Sequence, residues 1–166
     1  MIDAAGDQEI VVRVADLNVA TGDQVLVTYG LGSCVAILLC EPQRRVAAMA
    51  HIMLPSLSLA RRGERPGKTP HTAVPALVEA MVQLGADRRK ITSRLVGGAS
   101  LFAALTPPGS IQMGERNVVS CREVLNQQGI PLVSEQVGGE SGRSVWLHAS
   151  DGKAIIRSAN QSEQLF

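Results

Sequence analysis

Two residues able to do chemistry sit in neighbouring apolar runs. Cys34 follows Gly30-Leu31-Gly32-Ser33 and opens CVAILLC, residues 34–40, while His51 lies in VAAMAHIML, residues 46–54. Short, wholly apolar runs read as strands buried on both faces. Between them, Glu41-Pro42-Gln43-Arg44 has the composition of a β-turn with Pro in its second position. A hairpin centred between residues 42 and 43 sets Cys34 directly opposite His51, with Cβ atoms roughly 4.5 to 5.5 Å apart. A longer loop with the same centre keeps the pairing, whereas a one-residue bulge sends the two side chains to opposite faces.

A thiol beside an imidazole suggests nucleophilic catalysis. A free thiol titrates near pH 8.5 and holds little thiolate at neutral pH. A neighbouring histidine takes its proton, lowers the thiol pKa, and later returns the proton to a leaving amine. Gly30 and Gly32 permit a tight turn before the sulfur, and Gly32 and Ser33 are the candidate donors to an oxyanion. One such backbone donor is typically worth about 2.7 to 4 kcal/mol. A third group should fix the histidine tautomer; Thr28 is a hydroxyl candidate, and a backbone carbonyl would serve equally well. Against this stands the plain alternative of a cysteine that only fills core space and a histidine with an ordinary structural partner.

The remaining motifs carry less. Cys40 and Cys121 read as core, His71 as a solvent-facing helix start, and His148 as a strand residue without an obvious partner. GLGSCV has Val35 where a dinucleotide fingerprint needs glycine, and GGAS, residues 97–100, lacks the Lys-Ser/Thr of a phosphate loop. The three cysteines have no paired spacing, so a zinc site is poorly supported.

The elements that must position these residues form an α+β pattern. Residues 9–19 and 24–30 read as strands, followed by the two apolar runs. A loop rich in Ser, Arg, Gly and Pro spans 56–70 and is long enough to suggest function. Residues 71–86 read as a helix with Thr72 as its cap, Pro75 in its first turn and Gly85 at its end. Residues 91–99 read as a strand entering a glycine turn. A second helix is predicted over 118–128 with Asn117 as its N-cap and Gly129 as its stop. Strands around Gly138-Gly139 and a hairpin at Asp151-Gly152 complete the chain.

At 166 residues the chain suits one domain. Lys and Arg number 16 against 15 Asp and Glu, and the four aromatics are Tyr29, Phe102, Trp146 and Phe166, so neither a basic footprint nor a stacking platform for nucleic acid is present. The beginning MIDAAGDQEI lacks the basic flank and apolar core of a signal peptide, no apolar run reaches the roughly 18 residues of a spanning helix, and a cytoplasmic location with reduced cysteines is expected.

The segments GLGSCVAILL, AAMAHIMLP, RPGK, VGGASLF, MGERNV, GGESGRSV and DGKAIIR occur in that order. Together they resemble the CheD family of bacterial chemotaxis, the chemoreceptor glutamine deamidases, over about residues 8–158. The resemblance implies one CheD-like domain over 1–166 with short flexible termini. Its fold would be an α/β/β layered sandwich similar to some bacterial toxin deamidases, with mostly antiparallel or mixed sheets and two main helices on one side. By position in the motifs, Cys34 matches the family's nucleophile, His51 its acid-base and Thr28 its third residue. The implied reaction converts selected glutamines of methyl-accepting chemotaxis receptors to glutamate through a thioester, releasing ammonia with no cofactor or metal. A CheC-type phosphatase is the implied second partner, and a purely regulatory binding module with a vestigial Cys34 is the competing reading. Thr69 and His71 stand where the family commonly has Tyr and Asp, which bears on substrate choice. Arg61, Arg62, Arg65 and Lys68 in the 56–70 loop could dock an acidic receptor helix.

Overall fold

The computed structural model describes residues 8–59, 65–159 and 161–166. The two apolar runs form β4 (Val35–Glu41) and β5 (Val46–Ile52), and every residue in both is buried. Val35, Ile37 and Leu39 of β4, with Val46, Ala48, Ala50 and Ile52 of β5, pack in the core that also holds helix residues. Ala36, Leu38, Ala47 and Met49 point the other way, into a core shared with a second sheet. With apolar neighbours on both faces, the runs need no polar alternation. Each fully buried Leu or Ile contributes about 1.5 to 3 kcal/mol.

Two five-stranded mixed sheets result. One orders β2 (Leu17–Thr21), β5, β4, β6 (Thr92–Gly97) and β7 (Leu132–Val137), with only β6 and β7 parallel. The other orders β1 (Glu9–Val11), β3 (Val25–Leu31), β8 (Arg143–His148), β9 (Ala154–Ser158) and β10 (Gln161–Leu165), with only β1 and β3 parallel. Helices α1 (Pro70–Gln83) and α2 (Met113–Gln127) cover the first sheet through Val74, Leu77, Met81, Cys121, Val124 and Leu125. The layers are therefore helices, sheet, sheet, as the layered α+β expectation required. No described helix is long and apolar enough to cross a membrane.

The structure departs from the sequence reading in four places. Residues 9–19 are not one strand: the chain leaves β1, turns through Ala15 at φ 65°, and enters the other sheet as β2. Helix α1 starts at Pro70 with Thr69 at the N-cap position, so Pro75 lies in its second turn and Thr72 is a first-turn residue rather than the cap, its hydroxyl donating to the Pro66 carbonyl at 2.6 Å. Helix α2 begins at Met113, so Asn117 is an internal, buried residue rather than a cap. The additional strand β10 closes the second sheet.

Candidate active site

The hairpin loop is longer than expected. Residues 42–44 form a 3-10 turn and Arg45 takes a left-handed conformation at φ 55°, so the chain reverses over four residues. Ala36, not Cys34, faces His51 in the register. The shift is two positions along β4, and a shift of two preserves the face because side chains alternate. Cys34 sits one residue before β4 and packs on the inter-sheet core, the face that His51 also occupies. Cys34 thus lies diagonal to His51 on that face; diagonal positions across a strand pair are roughly 7 to 8 Å apart.

His51 is fixed by the other sheet. Its Nδ1 lies 2.7 Å from the Thr28 hydroxyl oxygen, and that hydroxyl donates to the Val12 carbonyl at 2.7 Å. A hydroxyl has one proton, and a carbonyl only accepts. The Thr28 proton is thus committed to Val12, so the Thr28 oxygen accepts from Nδ1–H. The neutral ring then carries its lone pair on Nε2, a buried atom with no partner among the described residues. The sheet-switching segment frames this arrangement, since Ala15 N–H donates to the His51 carbonyl and His51 N–H to the Asp16 carbonyl, both at 3.0 Å.

The turn that leads into Cys34 is held by its carbonyls. Ala99 N–H donates to Gly32 O and Gly98 N–H to Cys34 O, both at 2.8 Å, while the Asn117 amide donates to Ser33 O at 2.8 Å. The N–H groups of Gly32, Ser33 and Cys34 have no acceptor among the described residues. Three fixed carbonyls and three uncommitted amides are a fitting arrangement for holding an oxyanion. Gly30, at φ 65°, lies in the irregularity near the end of β3, just before this turn.

Both ionisable groups are shifted toward neutrality. Burial pushes the Cys34 thiol up, and burial lowers His51 to about 4, with the Val12 carbonyl partly opposing it. The free site therefore holds a thiol and a neutral imidazole at physiological pH, rather than the preformed ion pair expected from sequence. Nε2 can still take the thiol proton as the sulfur attacks, with charge developing only along the reaction.

Gly97 governs the turn from behind. Its φ is 115°, and a Cβ there would overlap the Cys34 carbonyl oxygen. Gly97→Ala is expected to cost about 1 to 3 kcal/mol of stability and to lower turnover by more than about 10-fold by moving the sulfur. Thermal melting and single-turnover rates on the same preparation check both.

Of the other sequence candidates, Arg65 pairs with Asp16 at 4.0 Å on the surface, and the Lys68 carbonyl accepts from Met53 and Leu54 N–H at 3.0 Å, just beyond His51. Arg61 and Arg62 lie outside the described residues. Cys40 and Cys121 are buried core, and burial pushes the Cys121 thiol strongly up. Among the described residues no group of three His, Cys, Asp or Glu side chains is placed to hold a metal. Beside Ser33 opens a cleft of about 220 Å³, lined by Ala99, Leu101, Phe102, Gln112 and Met113. Phe102 is 71% exposed at its rim, a feature the sequence reading had not assigned.

The profile of the CheD chemotactic sensory transduction family matches residues 53–158. Its span begins just after His51, so the full-length relatives carry the similarity across the site. A probable chemoreceptor glutamine deamidase of Caldanaerobacter subterraneus subsp. tengcongensis is 37% identical over 88% of this chain and 90% of its own. One from Methanococcus vannielii is 40% identical over 93% and 97%. The chemoreceptor glutamine deamidase of Halalkalibacterium halodurans is 35% identical over 92% and 95%.

Proposed function

Because this chain belongs to the CheD family, whose relatives are chemoreceptor glutamine deamidases, we propose that it hydrolyses receptor glutamine side chains with Cys34 as nucleophile and His51 as acid-base. The observation that carries this reading is the unpartnered Nε2 of His51, on the inter-sheet face it shares with Cys34, in a tautomer fixed by Thr28. The sulfur attacks the carboxamide carbon while Nε2 takes the thiol proton. The amides of the 32–34 turn receive the oxyanion. The tetrahedral intermediate collapses as the imidazolium gives its proton to nitrogen, the C–N bond breaks, and ammonia leaves a thioester. Water then attacks the thioester, Nε2 takes its proton, and the C–S bond breaks to return the thiol and a glutamate carboxylate. Thr28 touches His51 rather than the reacting atoms and is a positioning residue.

Each event adds one negative charge to the receptor, a lever on its packing and signalling. In this reading the chain works in the cytoplasm, where receptor helices are accessible, and the proposal includes a CheC-type phosphatase as a second partner. The cleft beside Ser33 gives a substrate helix an apolar seat, and Arg61, Arg62, Arg65 and Lys68 supply complementary charge for its acidic residues.

The direct test is mass spectrometry of a receptor cytoplasmic fragment after incubation with the protein, which should show glutamine-to-glutamate conversion and released ammonia. Replacing the four basic loop residues together by Ala should raise KM by about 3- to 30-fold with kcat little changed, the pattern of lost uniform binding, and raised salt should weaken the wild type toward the variant. A KM unchanged at low salt would remove the loop from substrate docking.

A further inference from the structure

The two halves of the site come from different segments, and one buried side chain joins them. Asn117 is fully buried in α2, and its Nδ2 donates to Ser33 O at 2.8 Å and to Met53 O at 3.2 Å. Ser33 immediately precedes Cys34, and Met53 lies two residues after His51. Two carbonyls demand two donors, so the amide orientation is fixed by chemistry. Its Oδ1 is left buried without a partner among the described residues. A buried acceptor without a partner is destabilising, so fold stability alone gives a poor reason for an amide here.

We infer that Asn117 is a positioning residue that clamps the nucleophile turn to the strand bearing His51 and so sets the approach of the sulfur to Nε2. The inference rests on the Cys34–His51 reading above. The surroundings support a clamp. Gly114, one turn earlier in α2, lies so close to the carbonyls of Gly98 and Ala99 that a Cβ would overlap them. The helix start thereby seats against the same glycine turn that holds Gly32 O and Cys34 O. Asn117 adds the link from that assembly to the exit of β5. Losing the clamp leaves both residues present and the fold standing but lets the turn and the strand drift apart.

The test is a double-mutant cycle read on the sulfur itself. Iodoacetamide modification of Cys34 near neutral pH is followed by mass spectrometry in wild type, His51→Gln, Asn117→Leu and the double variant. His51→Gln should slow alkylation by about 10-fold in the wild-type background and by less than about 2-fold in the Asn117→Leu background, because the coupling is already broken. Asn117→Leu should also lower kcat by at least about 10-fold with KM nearly constant. Ser120→Ala is the control: it removes a different tie from α2, to the Pro55 carbonyl, and should lower the melting temperature while keeping kcat. Should Asn117→Leu fail to fold, the isosteric Asn117→Asp takes its place, since a buried protonated carboxyl donates one hydrogen bond instead of two. An effect of His51→Gln undiminished in the Asn117 variant overturns the clamp while leaving the Cys34–His51 reading intact. No effect of His51→Gln in the wild-type background overturns that reading, and the clamp with it.

Discussion

Cys34→Ala is expected to abolish glutamine deamidation, with a loss on the order of 10⁴-fold or more, because the thioester route needs the sulfur and no other described thiol can replace it. Cys40 and Cys121 are buried core residues. The fold should survive, since Cys34 is only partly buried and precedes the first ladder pair of β4. Cys34→Ser should also be nearly inactive. A hydroxyl is far less acidic than a thiol, and the site offers it only an imidazole whose basicity burial has lowered. Hydroxylamine added during turnover should intercept the wild-type acyl-enzyme as a hydroxamate on the receptor glutamine, and no such product should form with either variant. A Cys34→Ala protein that still released ammonia at the wild-type rate would remove Cys34 from the chemistry and leave the binding-module reading in its place.

The legible part of this site was its periodicity. Apolar runs with a turn between them gave β4 and β5 and put Cys34 and His51 on one face, because face is decided by parity. The position along the strand was not legible. It depended on Arg45 adopting a left-handed conformation that lengthened the loop, and arginine carries no signal for that. Thr28 could be picked as a hydroxyl near the turn, but its commitment to Val12 could not, because Val12 reaches it through the parallel pairing of β1 with β3, which spacing alone does not reveal. The first turn of α2 was invisible for a related reason. Its contacts run through Gly114 and Asn117, a close backbone approach and a pair of hydrogen bonds, and neither adds to an apolar stripe. Asn117 looked like a cap because asparagine is common at helix starts, and its partners lie 84 and 64 residues away. Composition and spacing report burial well; they report long-range polar partnerships hardly at all.

His51 should make the protein acid-sensitive in a way that separates two descriptions of the resting site. Its ring titrates at about 4 in the fold against 6.5 for an ordinary histidine. Below pH 6.5 the unfolded chain binds a proton that the folded ring refuses, so the unfolded state holds more protons and stability falls as pH drops. The contribution is fully present above about pH 6.5 and is withdrawn progressively down to about pH 4, amounting at most to about 3 kcal/mol. His51→Gln removes this dependence. Urea midpoints measured near pH 7.5 and near pH 5 should therefore differ more for wild type than for the variant, whatever the other carboxylates and histidines contribute, since those are common to both. The same shift governs catalysis with the same sign, because a base must be neutral to accept the thiol proton. The acid limb of kcat/KM should fall well below pH 6.5, so activity persists in mildly acid solution where an ordinary histidine would already be charged. A preformed thiolate–imidazolium pair demands the reverse: a ring that stays protonated through neutrality and Cys34 alkylation that stays fast down to the thiol's lowered pKa. An alkaline limb set by an imidazolium titrating above pH 6.5, together with no difference in acid stability between wild type and His51→Gln, would show that the ring is charged at rest and that the proton moves before the substrate arrives.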